Sequence, residues 1–156
     1  MRIHVSAVGR LRAGPERALF DDYATRFDRT GRALGLGPLK LHEVEDRKCG
    51  GISAEAALLD RTIPKGALLV ALDERGALLT SPEFSRHLGD WRDGGRGDAA
   101  FLIGGADGID PELRARTDFT LSLGKMVWPH MLARVMLVEQ LYRAASILAG
   151  SPYHRS

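Results

Sequence analysis

The sequence contains a single cysteine, Cys49, among its 156 residues. One cysteine excludes an internal disulfide and a cysteine-based zinc site. No apolar run approaches the roughly 20 residues that are needed to cross a bilayer. The alternating N-terminus, Met1 to Val8, is too short for a signal peptide. We therefore expect a protein of a reduced compartment, the cytoplasm, with no membrane partner.

The sequence also has little net charge. A formal charge of +2 is too small to indicate a nucleic-acid partner by itself. The arginines nevertheless cluster near both ends of the chain, at positions 10, 12, 17, 26, 29 and 32 and at positions 134, 143 and 155. Such clusters can bind phosphate backbones, although scattered arginines more often form a solvated face. With 44% apolar and 27% charged residues, the composition predicts one globular domain over residues 1–156.

Several catalytic motifs are missing as well. The five histidines show no metal-ligand spacing, and no G-x-S-x-G sequence occurs. Residues 104–108 have the spacing G-G-x-x-G rather than the dinucleotide pattern G-x-G-x-x-G, and no P-loop lysine follows. These absences argue against a nicotinamide enzyme, an ATP enzyme and a metal site.

Short apolar strands alternate with helical patterns along the chain. The predicted strands are 3–8, 39–44, 67–72, 99–103 and 119–123. The predicted helices are 16–27, 53–61, 81–91, one that begins near 110, and 129 to about 150. Ser81 and Asp110 are expected to cap the third and fourth of these helices, since each precedes a proline and an acid. The pattern predicts an α/β fold with a mostly parallel sheet flanked by helices.

Open parallel sheets bind ligands beyond the carboxyl ends of their strands, so three segments are candidate sites. Residues 73–76 carry two acids and an arginine, which fits either a polar ligand or a turn with a local ion pair. Residues 104–108 are glycine-rich, which fits a tight turn or close approach of a ligand to the backbone. Residues 124–130 combine glycine with apolar and aromatic side chains and could form one wall of an adenine-sized pocket. His130, near a helix N-terminus, is expected to be neutral there.

The last helical pattern is apolar on two faces, which predicts burial on two faces. One face can pack on the sheet, and a second copy of the chain could cover the other. Glu139 and Arg143 are four residues apart and are expected to pair. Arg134 has no acid four residues before it, which suggests a free guanidinium. The sequence ends, just before Ser156, with the cluster Tyr153-His154-Arg155, which is either chance or a working surface.

These motifs resemble one known family. Residues 101–108 (FLIGGADG) are similar to the glycine motif of the SPOUT methyltransferases. Within that class, the ribosomal RNA large subunit methyltransferase H family resembles this chain at residues 121–130 (LSLGKMVWPH), 138–144 (VEQLYRA) and 153–155 (YHR). Residues 8–11, 72–76 and 81–84 also fit, so the resemblance spans essentially the whole chain.

The resemblance implies S-adenosylmethionine as the methyl donor and no metal. It implies N3 of a pseudouridine in a 23S rRNA hairpin of the ribosome as the acceptor. It also implies a C-terminal trefoil knot and an obligate homodimer with each site at the interface. The implied cofactor contacts are Leu72, Gly104, Leu123, Gly124, Lys125, Met126, Val127 and Trp128.

The tail composition and the resemblance together suggest catalytic roles. His154 of the partner is the first candidate to accept the N3 proton, and His130 is the second. Arg155, Arg143 and Arg134 could hold phosphates or stabilise the developing anion, and Tyr153 could contact the RNA. Two other functions stay open. One is a non-catalytic module that binds the ribosome or RNA, and the other is a nucleotide-binding α/β enzyme of different chemistry.

Overall fold

The computed structural model describes residues 1–155 and shows a five-stranded sheet in which every paired strand is parallel. Its strands are β1 (Arg2–Val8), β2 (Leu39–Val44), β3 (Leu68–Leu78), β4 (Asp98–Ile103) and β5 (Phe119–Ser122), in the order β2-β1-β4-β3-β5. The predicted parallel α/β fold is confirmed. Ser156, the last residue of the predicted domain, lies outside the described residues.

Helices cover both faces of this sheet. They are α1 (Pro15–Gly31), α2 (Gly51–Asp60), α3 (Ser81–Asp93), α4 (Pro111–Ala115) and α5 (His130–Leu148), with a short 3₁₀ turn over Arg32–Leu34. Phe27 of α1, Phe84 of α3 and Leu137 of α5 share one buried cluster with the sheet. Leu59 of α2 and Leu113 of α4 pack against the opposite face. The sheet is therefore the central layer of three, and its carboxyl edge is left open for a site.

The third strand differs from the prediction that it ends at Leu72. The strand continues to Leu78, but Leu72 and Ala77 both pair with Leu121. Residues 73–76 therefore bulge out of the strand pairing, and we call this segment the excursion of β3. A Cβ atom at Gly76 would lie 2.6 Å from the carbonyl oxygen of Thr120. Only a glycine allows the two backbones to come this close.

One of the two predicted helix caps is correct. The side chain of Asp110 accepts hydrogen bonds from the backbone of Glu112 and begins α4 as expected. The cap of α3 is Thr80 rather than Ser81, because Thr80 and Glu83 form a reciprocal capping box. The Ser81 hydroxyl instead donates to Gln140 of α5 at 2.7 Å, which joins the two helices.

Helix α5 is buried on two faces, as predicted. Leu137 and Leu141 pack in the cluster on the sheet. Val138 packs with Phe20 of α1 in a separate cluster. At Val138 the second face is therefore covered by α1 of the same chain, while Met131 and Leu132 at the start of the helix are exposed. Among residues 1–155, no helix is long and apolar enough to span a membrane.

Candidate active site

A cavity of about 380 Å³ opens at the carboxyl edge of the sheet, where residues 72–75 of β3 meet the segments that follow β4 and β5. These are the three segments that the sequence singled out. Seven of the eight implied cofactor residues line the cavity, namely Leu72, Gly104, Leu123, Gly124, Met126, Val127 and Trp128. Lys125 does not line it. We call this cavity the strand-end pocket.

The acidic excursion of β3 forms one wall of the strand-end pocket. The carboxylate of Asp73 accepts hydrogen bonds from Nε of Arg75 at 2.9 Å and from Arg114 at 3.1 Å. The hydrogen bonds from Arg75 are the main cause that lowers the pKa of Asp73 to about 2. A local ion pair therefore occupies this segment, and its negative charge is already neutralised by two arginines.

The glycine segment after β4 forms the floor of the pocket. Gly108, at φ +80°, donates its backbone N–H to the carbonyl of Gly105 at 3.0 Å, which closes a tight turn. A Cβ atom at Gly104 would overlap the backbone of Gly108. The three glycines of the turn therefore present bare backbone to the pocket, which Ala106 and Asp107 of the same turn also line.

His130 closes the pocket on the side of β1. Its ring lies against Gly9, where an added Cβ would be 3.3 Å from Cε1 of the imidazole. Burial and the neighbouring charge of Arg134 lower the pKa of His130, while Glu55 opposes the shift. The neutral form predicted from the sequence is thus favoured, although burial rather than the helix N-terminus is the main cause.

Arg134 is not the free guanidinium that the sequence suggested. Its side chain is 0% exposed and donates to Oε2 of Glu43 at 2.9 Å. It also donates to the carbonyl oxygens of Val8 and Gly9 at 3.1 and 3.2 Å. The expectation of an unpaired Arg134 is wrong because Glu43, distant in sequence, lies beside it. In this position Arg134 has no surface to offer to an RNA phosphate.

The C-terminal tail folds back on its own α5. The Tyr153 hydroxyl donates to Glu139 at 3.0 Å, and its ring packs on Tyr142 with 4.5 Å between centroids. The predicted pair of Glu139 and Arg143 is confirmed, with 3.1 Å between Nε and Oε1. Arg143 also donates from NH1 to Nδ1 of His154 at 3.3 Å. No tail residue up to Arg155 lines the strand-end pocket of the same chain.

Sequence comparison identifies the family. A family model described as "Predicted SPOUT methyltransferase" matches residues 1–154. The chain belongs to the SPOUT methyltransferases. It is 71% identical to ribosomal RNA large subunit methyltransferase H of Roseobacter denitrificans, over 100% of both chains. It is 67% identical to the protein of the same name from Ruegeria pomeroyi, over 99% of both. The chain is thus a member of the methyltransferase H family.

A solved structure supports the same fold. The probable methylase family protein from Haemophilus influenzae Rd KW20 superimposes with a TM-score of 0.54 at 14% identity. The match covers 99% of this chain and 70% of that one. At this identity the likeness establishes only the fold that this SPOUT family member shares. The trefoil knot that the resemblance implies stays a prediction.

Sequence reasoning missed an apolar groove of about 480 Å³ in this SPOUT methyltransferase. It lies between α1, the end of β3 and α5, and its lining includes Leu19, Leu78 and Met136. Leu123 and Gly124 line both the groove and the strand-end pocket, so the two cavities adjoin. No periodicity could have found the groove, because its lining comes from several elements that are distant in sequence and meet only after folding.

Sequence reasoning also missed Glu55 of α2. Its Oε2 atom is buried and has no hydrogen-bond partner among the described residues. A Cβ at Gly105 would lie 2.9 Å from that oxygen, so the carboxylate rests against the glycine turn. A single glutamate in a helix of small apolar residues gives no signal of this position.

Proposed function

We propose that the chain methylates ribosomal RNA. It would transfer a methyl group from S-adenosylmethionine to N3 of a pseudouridine in a 23S rRNA hairpin, in the cytoplasm, where its ribosomal substrate would be found. The observation that carries the proposal is the strand-end pocket, in which three sequence-distant segments join, in a chain whose relatives are named ribosomal RNA large subunit methyltransferase H.

The residues of the pocket fit the proposed cofactor. The volume of about 380 Å³ falls in the range of small-molecule sites, and the walls combine apolar side chains with backbone. Leu72, Leu123 and Trp128 offer apolar surface for an adenine ring, and Gly104 lets the backbone approach it. When bound, S-adenosylmethionine supplies the electrophilic methyl group on its sulfonium. The chain has to hold that methyl in line with the acceptor nitrogen.

We also propose a homodimer in which each site takes residues from both chains. Exposed large apolar side chains line the groove (Leu19, Leu78) and the pocket (Met126, Val127, Trp128), and Met131 and Leu132 at the start of α5 are exposed as well. A second copy that covers this surface would remove it from water. In such a dimer Tyr153, His154 and Arg155 of one chain can reach the strand-end pocket of the other.

The geometry of the tail supports a specific role for His154. A guanidinium has only donors, so the bond from Arg143 uses the lone pair on Nδ1 of His154. A neutral ring then carries its proton on Nε2. His154 would therefore donate a hydrogen bond to the anion that develops on the base, rather than accept the N3 proton. Arg155 and Arg143 would hold phosphate, and Tyr153 would pack against the RNA.

Methyl transfer from labelled S-adenosylmethionine to assembled ribosomes, compared with naked 23S rRNA, tests the proposal. We expect label at one pseudouridine, located by mapping the modified base. Ribosome binding without any transfer would instead establish a non-catalytic RNA-binding module. Isothermal calorimetry tests the second alternative. Tight binding of NAD or ATP without binding of S-adenosylmethionine would establish an enzyme of different chemistry.

Mixing two inactive variants tests the shared site. Gly104→Ala damages the pocket and His154→Ala removes the tail group, so each homodimer should be inactive. A heterodimer holds one intact pocket opposite one intact tail, and a mixture should regain up to about a quarter of wild-type activity, since about half of the dimers are mixed and each has one working site. A mixture no more active than its components would place each tail at its own chain's site.

A further inference from the structure

Three buried polar atoms near the strand-end pocket lack partners. They are Oε2 of Glu55, Nδ1 of His130 and Nε of Arg134, and none has a hydrogen-bond partner among the described residues. Leaving such groups unpaired is costly, so native structures rarely keep them without a reason. Of these atoms, Oε2 of Glu55 is an acceptor, and Nδ1 of His130 becomes a donor when it carries the ring proton.

The fold brings the side chains of Glu55 and His130 to the same place from different helices. Glu55 rests against Gly105, and His130 rests against Gly9. Ala7 of β1 pairs with Ile103 of β4, so the two glycines each lie two residues beyond the same rung of neighbouring parallel strands. The strand register therefore brings the carboxylate and the imidazole to neighbouring positions at the end of the β1–β4 pair.

The other ring nitrogen of His130, Nε2, is not buried. His130 lines the strand-end pocket, and its Nε2 makes no hydrogen bond to residues 1–155. The charged groups near the ring are Arg134 of α5 and Glu55 of α2, with Glu43 of β2 paired to Arg134. Arg134 lowers the pKa of His130 and Glu55 raises it, and burial keeps the balance toward the neutral ring.

A neutral imidazole can serve as a base only through the nitrogen that lacks the proton. In His154 that nitrogen is Nδ1, which the contact with Arg143 already uses. In His130 the exposed nitrogen is Nε2, and it stays free as long as the proton resides on Nδ1. The tautomer of His130 therefore decides whether the pocket contains a proton acceptor.

We propose that Glu55 accepts a hydrogen bond from Nδ1–H of His130 through one bridging water, and so fixes the tautomer that leaves Nε2 as proton acceptor in the pocket. In this arrangement, which rests on the proposed function, Glu55 is a positioning residue and His130 is the base that accepts the N3 proton. As N3 bonds to the methyl carbon, the S–CH₃ bond breaks and its electron pair stays on sulfur. The N3 proton passes to Nε2, so the total charge is unchanged.

The tautomer is measured directly in the protein without cofactor by ¹⁵N NMR of the histidine ring nitrogens, assigned with His130→Gln. We expect Nδ1 of His130 to be protonated in the wild type. Glu55→Gln keeps an acceptor oxygen and should keep this tautomer, while Glu55→Ala should shift it toward Nε2–H. Glu112→Gln changes an exposed carboxylate on α4 and serves as the matched control.

A wild-type ring protonated on Nε2 would overturn the proposal, whether or not the variants fold. So would a Glu55→Ala protein with a native amide spectrum and the wild-type tautomer. This outcome is independent of methyl transfer, so a failure here differs from a failure of the proposed function, in which the wild type itself transfers no methyl group.

The pH dependence of single-turnover methyl transfer gives a second reading. Loss of the Glu55 charge removes an interaction that raises the pKa of His130. The acidic limb of the Glu55→Gln profile should therefore move to lower pH, and His130→Gln should lose about 10²- to 10⁴-fold in rate. An unmoved limb in Glu55→Gln, or full activity in His130→Gln, would show that His130 is not the base.

Discussion

The guanidinium of Arg134 lies 2.9 Å from the carboxylate of Glu43, with the arginine side chain wholly buried. The same guanidinium donates to the carbonyls that end β1, at Val8 and Gly9. One side chain thus joins the N-terminal part of α5 to the ends of two strands. The position of His130, four residues earlier on the same helix, depends on this junction.

Arg134→Met should destabilise the protein strongly. Removing one partner of a buried ion pair costs about 3–5 kcal/mol, because Glu43 and two backbone carbonyls lose their donor. Urea unfolding followed by circular dichroism measures the loss. Arg29→Gln, at an exposed position of α1, should stay within about 0.5 kcal/mol of the wild type. Equal stability of the two variants would contradict the structural role given to Arg134.

Much of the fold follows from local pattern, and the exceptions have physical causes. Strands such as Leu39–Val44 were predicted with their correct bounds because apolar alternation marks them. The continuation of β3 past Leu72 was not, because residues 73–76 are polar and leave the ladder. Only the close approach of Gly76 to the backbone of Thr120 allows pairing to resume, and that contact is tertiary.

Gly104→Ala should reduce affinity for S-adenosylmethionine at least tenfold and destabilise the chain by about 1–3 kcal/mol. The new Cβ would overlap Gly108, so the turn that forms the pocket floor has to move. Isothermal calorimetry and urea unfolding measure the two effects. Gly97→Ala is the control, because a Cβ there meets nothing within 4 Å. Normal cofactor binding by Gly104→Ala would separate this turn from the cofactor.

Asp73 should make stability fall in acid. Its pKa of about 2 lies below the usual 3.8, so its contribution is complete above about pH 4 and is lost as the pH falls toward 2. The loss should reach about 1 kcal/mol by pH 3. Asp73→Asn should show a shallower decline between about pH 6 and pH 3 in urea unfolding. Asp22→Asn, which removes an exposed carboxylate, should follow the wild-type curve.

Leu78→Glu should give a monomer. Leu78 is 54% exposed at the rim of the apolar groove, and a charge there would have to be buried in the proposed dimer. Sedimentation velocity measures the oligomeric state, and Lys65→Glu at an exposed position controls for the added charge. The monomer should stay folded but lose methyl transfer. A dimeric Leu78→Glu protein would place the interface elsewhere.

The candidate site was only partly accessible to sequence reasoning. The three pocket segments could be found because parallel strands place their carboxyl ends at one edge, although β3 resumes its pairing beyond residues 73–76. The partners of Arg134 and the position of Glu55 could not, because both depend on residues distant in sequence that meet only after folding. The hydrogen bond that Arg143 donates to His154 could not be predicted either, because it determines which ring nitrogen carries the proton and leaves no pattern in the sequence.

The anchored start of α5 also limits how a ligand can reach the strand-end pocket. The start of the helix cannot move away from the sheet without separating the charge of Arg134 from its partners. We therefore expect this wall of the pocket to stay fixed. On the opposite side, Met126 and Val127 are 73% and 83% exposed in the segment between β5 and α5. Ligands should therefore enter and leave the pocket past this segment. The rate of product release should respond to substitutions at Val127 rather than to substitutions in the helix.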